Sequence, residues 1–136
     1  SLLICGDGPD VKYFNDLCTQ RLGSHSFKIV TVDFADIPNV YRSVDAFTLP
    51  SEDEPFGRVY LEAMGCGLPV IATDDAMRRL LVGKAGKVCD VTSVFEYAET
   101  IETVLSLDWD DKPLKQAAAY SWASITEKYA KVINSL

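Results

Sequence analysis

The chain has 136 residues, of which 48% are hydrophobic and 24% charged, and its formal net charge is −7. That length suits one domain able to bury roughly 68% of its unfolded surface. The negative charge, without a Lys/Arg stripe, argues against a nucleic-acid or anionic-membrane surface, and no apolar run approaches the roughly 20 residues that a membrane span requires.

In chain order, Leu2 to Cys5 is a short apolar run ended by Gly6 and Gly8, which reads as a buried strand. Pro9 can open a helix, and Val11, Phe14, Leu17, Cys18 and Leu22 recur at helical spacing up to Gly23. Phe27 to Val32 reads as a β-branched strand, Ile37 to Val44 as a short helix and Ala46 to Leu49 as a strand. Gly57 to Cys66 reads as a helix stopped by Gly67, and Val70 to Ala72 as a buried strand. Asp74 or Asp75 caps a helix through Leu81 that Gly83 ends, and Lys87 to Cys89 is a last strand. Helices follow from Val91-Thr92-Ser93 to about Leu107, from Pro113 to Tyr120 and from Ser124 to Leu136. The apolar positions from Phe95 to Leu107 read as core, and His25, in a polar turn, as exposed. Apolar strands alternating with helices predict an α/β fold, a parallel sheet covered on both faces.

The four cysteines, Cys5, Cys18, Cys66 and Cys89, show no C-x2-C spacing, so no zinc or redox motif is present. Cys5, Cys66 and Cys89 lie in apolar runs, as small hydrophobes do. This usage and the lack of a basic-then-apolar leader predict a reducing, cytoplasmic compartment.

Three stretches carry chemistry. Gly6-Asp7-Gly8-Pro9 lies between a strand and a helix, but the third glycine of a dinucleotide fingerprint would fall on Val11. It reads either as a tight turn that needs glycine's backbone freedom or as the wall of a nucleotide-sugar cleft. Glu54-Pro55-Phe56-Gly57 precedes a helix, whose unsatisfied first N–H groups and dipole form an anion site that Gly57 leaves approachable and Arg58 could reinforce. The bland alternative is a strand-to-helix turn with Phe56 packed back as a staple. Third, the fifteen residues Val59 to Thr73 hold a single charged residue, Glu62. At about 100° per residue Glu62 falls beside the face of Val59, Ala63 and Cys66, and helical side chains lean toward the N-terminus. Its carboxylate can therefore accept from a vicinal diol such as a ribose, or serve as a buried structural partner for Lys or Arg; the chemistry leaves both open.

Glu54 and Glu62 bracket seven residues, E-x7-E, followed by A-M-G-C-G-L-P-V-I-A-T. This pattern resembles the C-terminal, donor-binding half of GT-B glycosyltransferases of the large retaining family 4. Leu3 to Pro9, Val44 to Phe47, Leu49 to Ser51, Gly83 to Val88 and Ser121-Trp122 resemble other parts of that domain, so the likeness covers nearly the whole chain. It implies a three-layer Rossmann-like parallel sheet and a chain, residues 1–136, that is one piece of a two-domain enzyme. It implies a UDP- or GDP-sugar as donor, no metal or other cofactor, and an acceptor sugar or lipid held by an N-terminal domain outside the chain. Glu54 would be the catalytic carboxylate near the donor sugar, and Glu62 would hold the ribose hydroxyls. Phe56, Gly57, Arg58 and Val59 would hold sugar hydroxyls and diphosphate through their N–H groups, with Gly6 and Gly8 lining the cleft and Val32-Asp33-Phe34 near the base.

The family's paired glycines and glutamate after Thr73 are replaced here by Asp74-Asp75-Ala76-Met77-Arg78-Arg79. Its first strand and helix, with a diphosphate-clamping Arg and Lys, would precede Leu2. In the strand order 3-2-1-4-5-6 that first strand is central, so a gap is expected between Leu2-Cys5 and Ala46-Leu49, closed by direct pairing, filled by another chain or met by a shift of the covering helices, and the isolated chain is expected to be inactive and at best a weak nucleotide binder. An NAD(P)-binding oxidoreductase domain and a non-catalytic nucleotide-sugar module are the alternatives.

Overall fold

The computed structural model describes residues 1–135. These form five strands, β1 Leu2–Cys5, β2 Phe27–Val30, β3 Phe47–Leu49, β4 Val70–Thr73 and β5 Gly86–Cys89. The helices are α1 Val11–Leu22, α2 Ile37–Arg42, α3 Arg58–Gly65, α4 Ala76–Val82, α5 Val94–Ser106, α6 Lys112–Ala118 and α7 Trp122–Ile133, with a 3-10 turn at Phe34–Asp36. The predicted end of the last helix at Leu136 lies outside the described residues. The chain divides into two units, Ser1–Asn39 and Val40–Leu136.

All strand pairs are parallel. β1 pairs with β2, and β3, β4 and β5 form a second sheet in that order. In the first unit β1, β2 and α1 bury little: Cys18 is buried, whereas Tyr13 and Phe14 are 63% and 46% exposed.

The second unit holds the core. β4 is central and closed on both faces, with Val70, Ile71 and Ala72 at most 1% exposed, as a central parallel strand requires. Gly86 stands in register with Val70, and a Cβ at Gly86 would collide with the Val70 backbone; only glycine allows this approach of β5. Tyr60, Ala63 and Met64 close one part of this core, Leu81 and Val82 another. On α5, Tyr97, Ile101 and Val104 pack against Ile71 and Cys89.

Several local expectations are corrected. Phe95, Leu105 and Leu107 are 86%, 56% and 47% exposed, because one helix stripe can face the core and Tyr97, Ile101 and Val104 occupy it. Cys5 is exposed at the end of a two-stranded sheet, and Cys18 is buried instead. β2 stops at Val30, and the following residues lead into the 3-10 turn. His25 is exposed as expected.

Candidate functional site

The site assembles at the start of α3. Gly57 is the N-cap with φ 81° and ψ 53°, a left-handed conformation that favours glycine, and a Cβ there would also collide with the Tyr60 ring. The helix thus begins at a backbone corner that only this residue can occupy without strain. The Glu54 carboxylate folds onto the corner. Its Oε1 accepts from the Gly57 N–H at 2.9 Å and, more weakly, from the Phe56 N–H at 3.4 Å. So two of the N–H groups assigned to the ligand are held by Glu54 in this structure. Phe56 is 39% exposed, too open for the staple, and Arg58 is exposed beside it while Val59 is half-buried.

Glu62 lies one turn further into α3 and is half-buried, as its angular position predicts. Its Oε2 accepts a long hydrogen bond, 3.4 Å, from the Tyr41 hydroxyl, which also reaches the Val59 carbonyl at 3.5 Å. Tyr41 is held by packing. Its ring meets Phe47 edge-on at 5.5 Å, and Phe47 meets Tyr60 in the same way at 5.8 Å. Phe47 of β3 therefore packs against two aromatics, Tyr41, which serves Glu62, and Tyr60, which borders the helix corner.

The loop before α3 is anchored at its base. The Tyr60 hydroxyl donates to the Leu49 carbonyl at 2.6 Å, and the Thr73 hydroxyl donates to the Ser51 carbonyl at 2.7 Å. Burial pushes the Tyr60 phenol above the ordinary tyrosine range; the Arg78 guanidinium pulls it part of the way back, and the Glu54 and Asp75 carboxylates add to the rise. The divergent Asp-Asp-x-x-Arg-Arg stretch has a structural use. Asp75 caps α4 through the Arg78 N–H at 2.9 Å and pairs with the Arg78 side chain, while Asp74 pairs with Arg79.

Gly6 and Gly8 belong to the first unit, after β1. The Gly6 N–H donates to Val30 and that of Gly8 to Asp7 Oδ1, at 2.9 and 2.8 Å. Neither has a positive φ, and a Cβ at either would meet nothing within 4 Å. The turn itself thus gives no reason for glycine at these positions.

Glu54, Phe56, Gly57, Arg58, Val59 and Glu62 are gathered at one helix start. Tyr41, Tyr60 and Arg78 escaped sequence reasoning. Arg78 carried a signal: it shares a helix face with the buried Leu81 and Val82, three and four residues on.

The model of the glycosyl transferases group 1 family matches residues 1–121. The chain is 33% identical over 96 residues to the O-antigen chain mannosyltransferase B of Escherichia coli, covering 67% of this chain and 25% of that protein. It is 30% identical over 148 aligned positions to the D-inositol 3-phosphate glycosyltransferase of Corynebacterium urealyticum, covering 99% of this chain and 35% of that protein. The chain therefore spans about a quarter to a third of these relatives. Among solved structures it superposes, with a TM-score of 0.72 and 17% identity, on the pneumococcal O-GlcNAc transferase GtfA in complex with UDP and GlcNAc, over 98% of this chain and 29% of that one. With parallel strands, crossover helices and a family match over most of its length, the chain belongs to the glycosyl transferases group 1.

Proposed function

We propose that this chain is the donor-binding domain of a retaining, family 4 glycosyltransferase that takes a UDP- or GDP-sugar. The observation that carries the reading is the pair Glu54 and Glu62 set at one helix start, the first on the N–H groups of the corner and the second one turn inside it. The family match favours this reading over an NAD(P)-binding oxidoreductase domain.

In this reading the donor's diphosphate lies at the start of α3. The unsatisfied N–H groups and the helix dipole stabilise the negative charge that grows as the bond from the sugar C1 to the diphosphate oxygen breaks. The acceptor hydroxyl forms the new bond to C1 as the bond to the diphosphate breaks, and its proton passes to the departing diphosphate oxygen. Glu62 accepts from the two ribose hydroxyls, a diol geometry that suits the two oxygens of one carboxylate. Glu54 accepts from hydroxyls of the sugar. Gly6 and Gly8 leave room for the ligand to approach the backbone. The acceptor, a sugar or lipid, is held by an N-terminal domain of a longer parent protein. The four unpaired thiols favour a reducing, cytoplasmic setting. Calorimetric titration of the parent enzyme with UDP and GDP tests the assignment: Glu62→Ala is expected to weaken binding of the cognate nucleotide about tenfold or more, and a change within about twofold would contradict it.

A further inference from the structure

Glu54 sits in a loop, residues 50–56, that leaves β3 at Leu49 and ends at the Gly57 corner. Glu52, Asp53, Pro55 and Phe56 are exposed, so the loop has little packing of its own to fix the carboxylate. One side chain from beyond the loop holds both of its ends. The Tyr60 hydroxyl donates to the Leu49 carbonyl at 2.6 Å, and the Ser51 N–H donates to the same carbonyl at 2.9 Å, a tight turn about Pro50. The Tyr60 ring fills the place where a Cβ at residue 57 would stand, so ring and left-handed corner fit each other.

Packing alone does not explain a tyrosine there. Tyr60 is fully buried, and a phenylalanine would fill nearly the same volume without a polar atom to satisfy. The hydroxyl proton goes to Leu49, because a carbonyl can only accept, and the oxygen accepts from the Arg78 guanidinium, which Asp75 anchors at the start of α4. The hydroxyl thus ties the start of the loop to α3 and α4. A second tether runs from the end of β4, where the Thr73 hydroxyl donates to the Ser51 carbonyl at 2.7 Å. Between these anchors Glu54 lies over the corner, with Oε1 on the Gly57 N–H at 2.9 Å and Cγ 3.5 Å from the place of that absent Cβ.

We propose that Tyr60 is a positioning residue for Glu54, with Thr73 as the second tether: by gripping the loop at Leu49 and at Gly57, one buried side chain sets how far the Glu54 carboxylate reaches from the start of α3. This rests on the donor-site reading above, in which Glu54 meets the sugar and Glu62 the ribose. Tyr60 itself, closed off from solvent, touches no ligand and acts through the loop. The ribose end has a separate support, the Tyr41 hydroxyl on Glu62, with the Tyr41 ring against Phe47. Removing the Tyr60 hydroxyl while keeping its ring therefore loosens the sugar end of the site and leaves the ribose end in place.

The test is calorimetric titration of the parent enzyme with UDP and GDP and with UDP-glucose, UDP-N-acetylglucosamine and GDP-mannose. Tyr60→Phe is expected to weaken the best-bound sugar nucleotide about tenfold while its free nucleotide stays within about twofold. Glu54→Ala is expected to repeat that pattern, and adding Tyr60→Phe to it to change sugar-nucleotide affinity by less than about twofold, since the loop then carries no carboxylate to position. Equal losses for sugar nucleotide and free nucleotide, no loss for either, or a full further loss in the Glu54→Ala enzyme would make Tyr60 a structural residue and overturn this proposal alone. Thr73→Val cuts the second tether without touching the buried phenol, and it decides the matter if Tyr60→Phe does not fold. It is expected to weaken the sugar nucleotide about threefold and to spare the free nucleotide, and unchanged sugar-nucleotide affinity would overturn the proposal. An unaltered parent enzyme that binds none of the five probes would overturn the donor-site reading, and this proposal with it.

Discussion

The Tyr41 hydroxyl stands 3.4 Å from Oε2 of Glu62, joining α2 to the inner carboxylate of the E-x7-E pair. A buried ring held edge-on against Phe47 fixes the hydroxyl, so the bond orients the carboxylate without making it rigid. Tyr41→Phe keeps the ring and removes the donor. It is expected to leave the thermal midpoint nearly unchanged and to weaken nucleotide binding by the parent enzyme about fivefold, as for one hydrogen bond of roughly 1 kcal/mol. Unchanged affinity in calorimetry would mean that Glu62 needs no such orientation.

The strand and helix sequence was legible because each element has its own period and punctuation. Gly57, Gly67 and Gly83 have positive φ at element ends, and Asp75 caps α4 as a helix start demands. The E-x7-E pair was legible because its spacing and the A-M-G-C-G-L-P-V-I-A-T run after it resemble a known family's motif, whereas the chemistry of Glu62 alone left its role open. The partners were not. Tyr41 lies 21 residues from Glu62, and that distance is closed only by the sheet. The core was overread on α5, where periodicity marks an apolar face but does not say how wide a neighbour will cover it; Phe95 and Leu105 are the result. Glu54 was assigned to a ligand, and nothing in its spacing predicted that it would hold the corner N–H groups itself.

Gly57 and Gly67 make a matched comparison. Both have positive φ, at 81° and 89°, but a Cβ collides with Tyr60 at Gly57 and meets nothing within 4 Å at Gly67. Gly67→Ala is expected to cost about 1 kcal/mol of unfolding free energy and Gly57→Ala roughly 2–4 kcal/mol, from left-handed backbone plus overpacking. Urea denaturation of the two variants checks this, and equal losses would remove the steric argument.

Asp75 both caps α4 and neutralises Arg78. Asp75→Ala should destabilise by roughly 2–4 kcal/mol, since it removes a cap and strands a buried cation. Adding Arg78→Met should recover more than half of that loss. A double variant no more stable than Asp75→Ala alone would show that the cap, and not the cation, sets the cost.

The thiols should separate by position. Burial pushes the Cys89 thiol above the ordinary cysteine range, whereas Cys5 is exposed. At neutral pH a thiol reagent is expected to label Cys5 first and Cys89 last, read by mass spectrometry of the peptides. Because the Cys89 pKa is raised, its reactivity should grow only as pH rises above the usual thiol range. Early labelling of Cys89 would contradict the packing of β5 against α5.

The central claim is that the start of α3 binds the diphosphate of a nucleotide sugar and Glu62 its ribose. Titration of the labelled 136-residue chain with UDP, GDP and NAD, followed by the backbone amides of residues 56–62, tests it most directly. UDP or GDP is expected to shift these amides, with the shifts near Glu62 lost for inorganic pyrophosphate, which has no ribose, while NAD has a smaller effect. Shifts produced best by NAD, or none at residues 56–62 with any nucleotide, would contradict it.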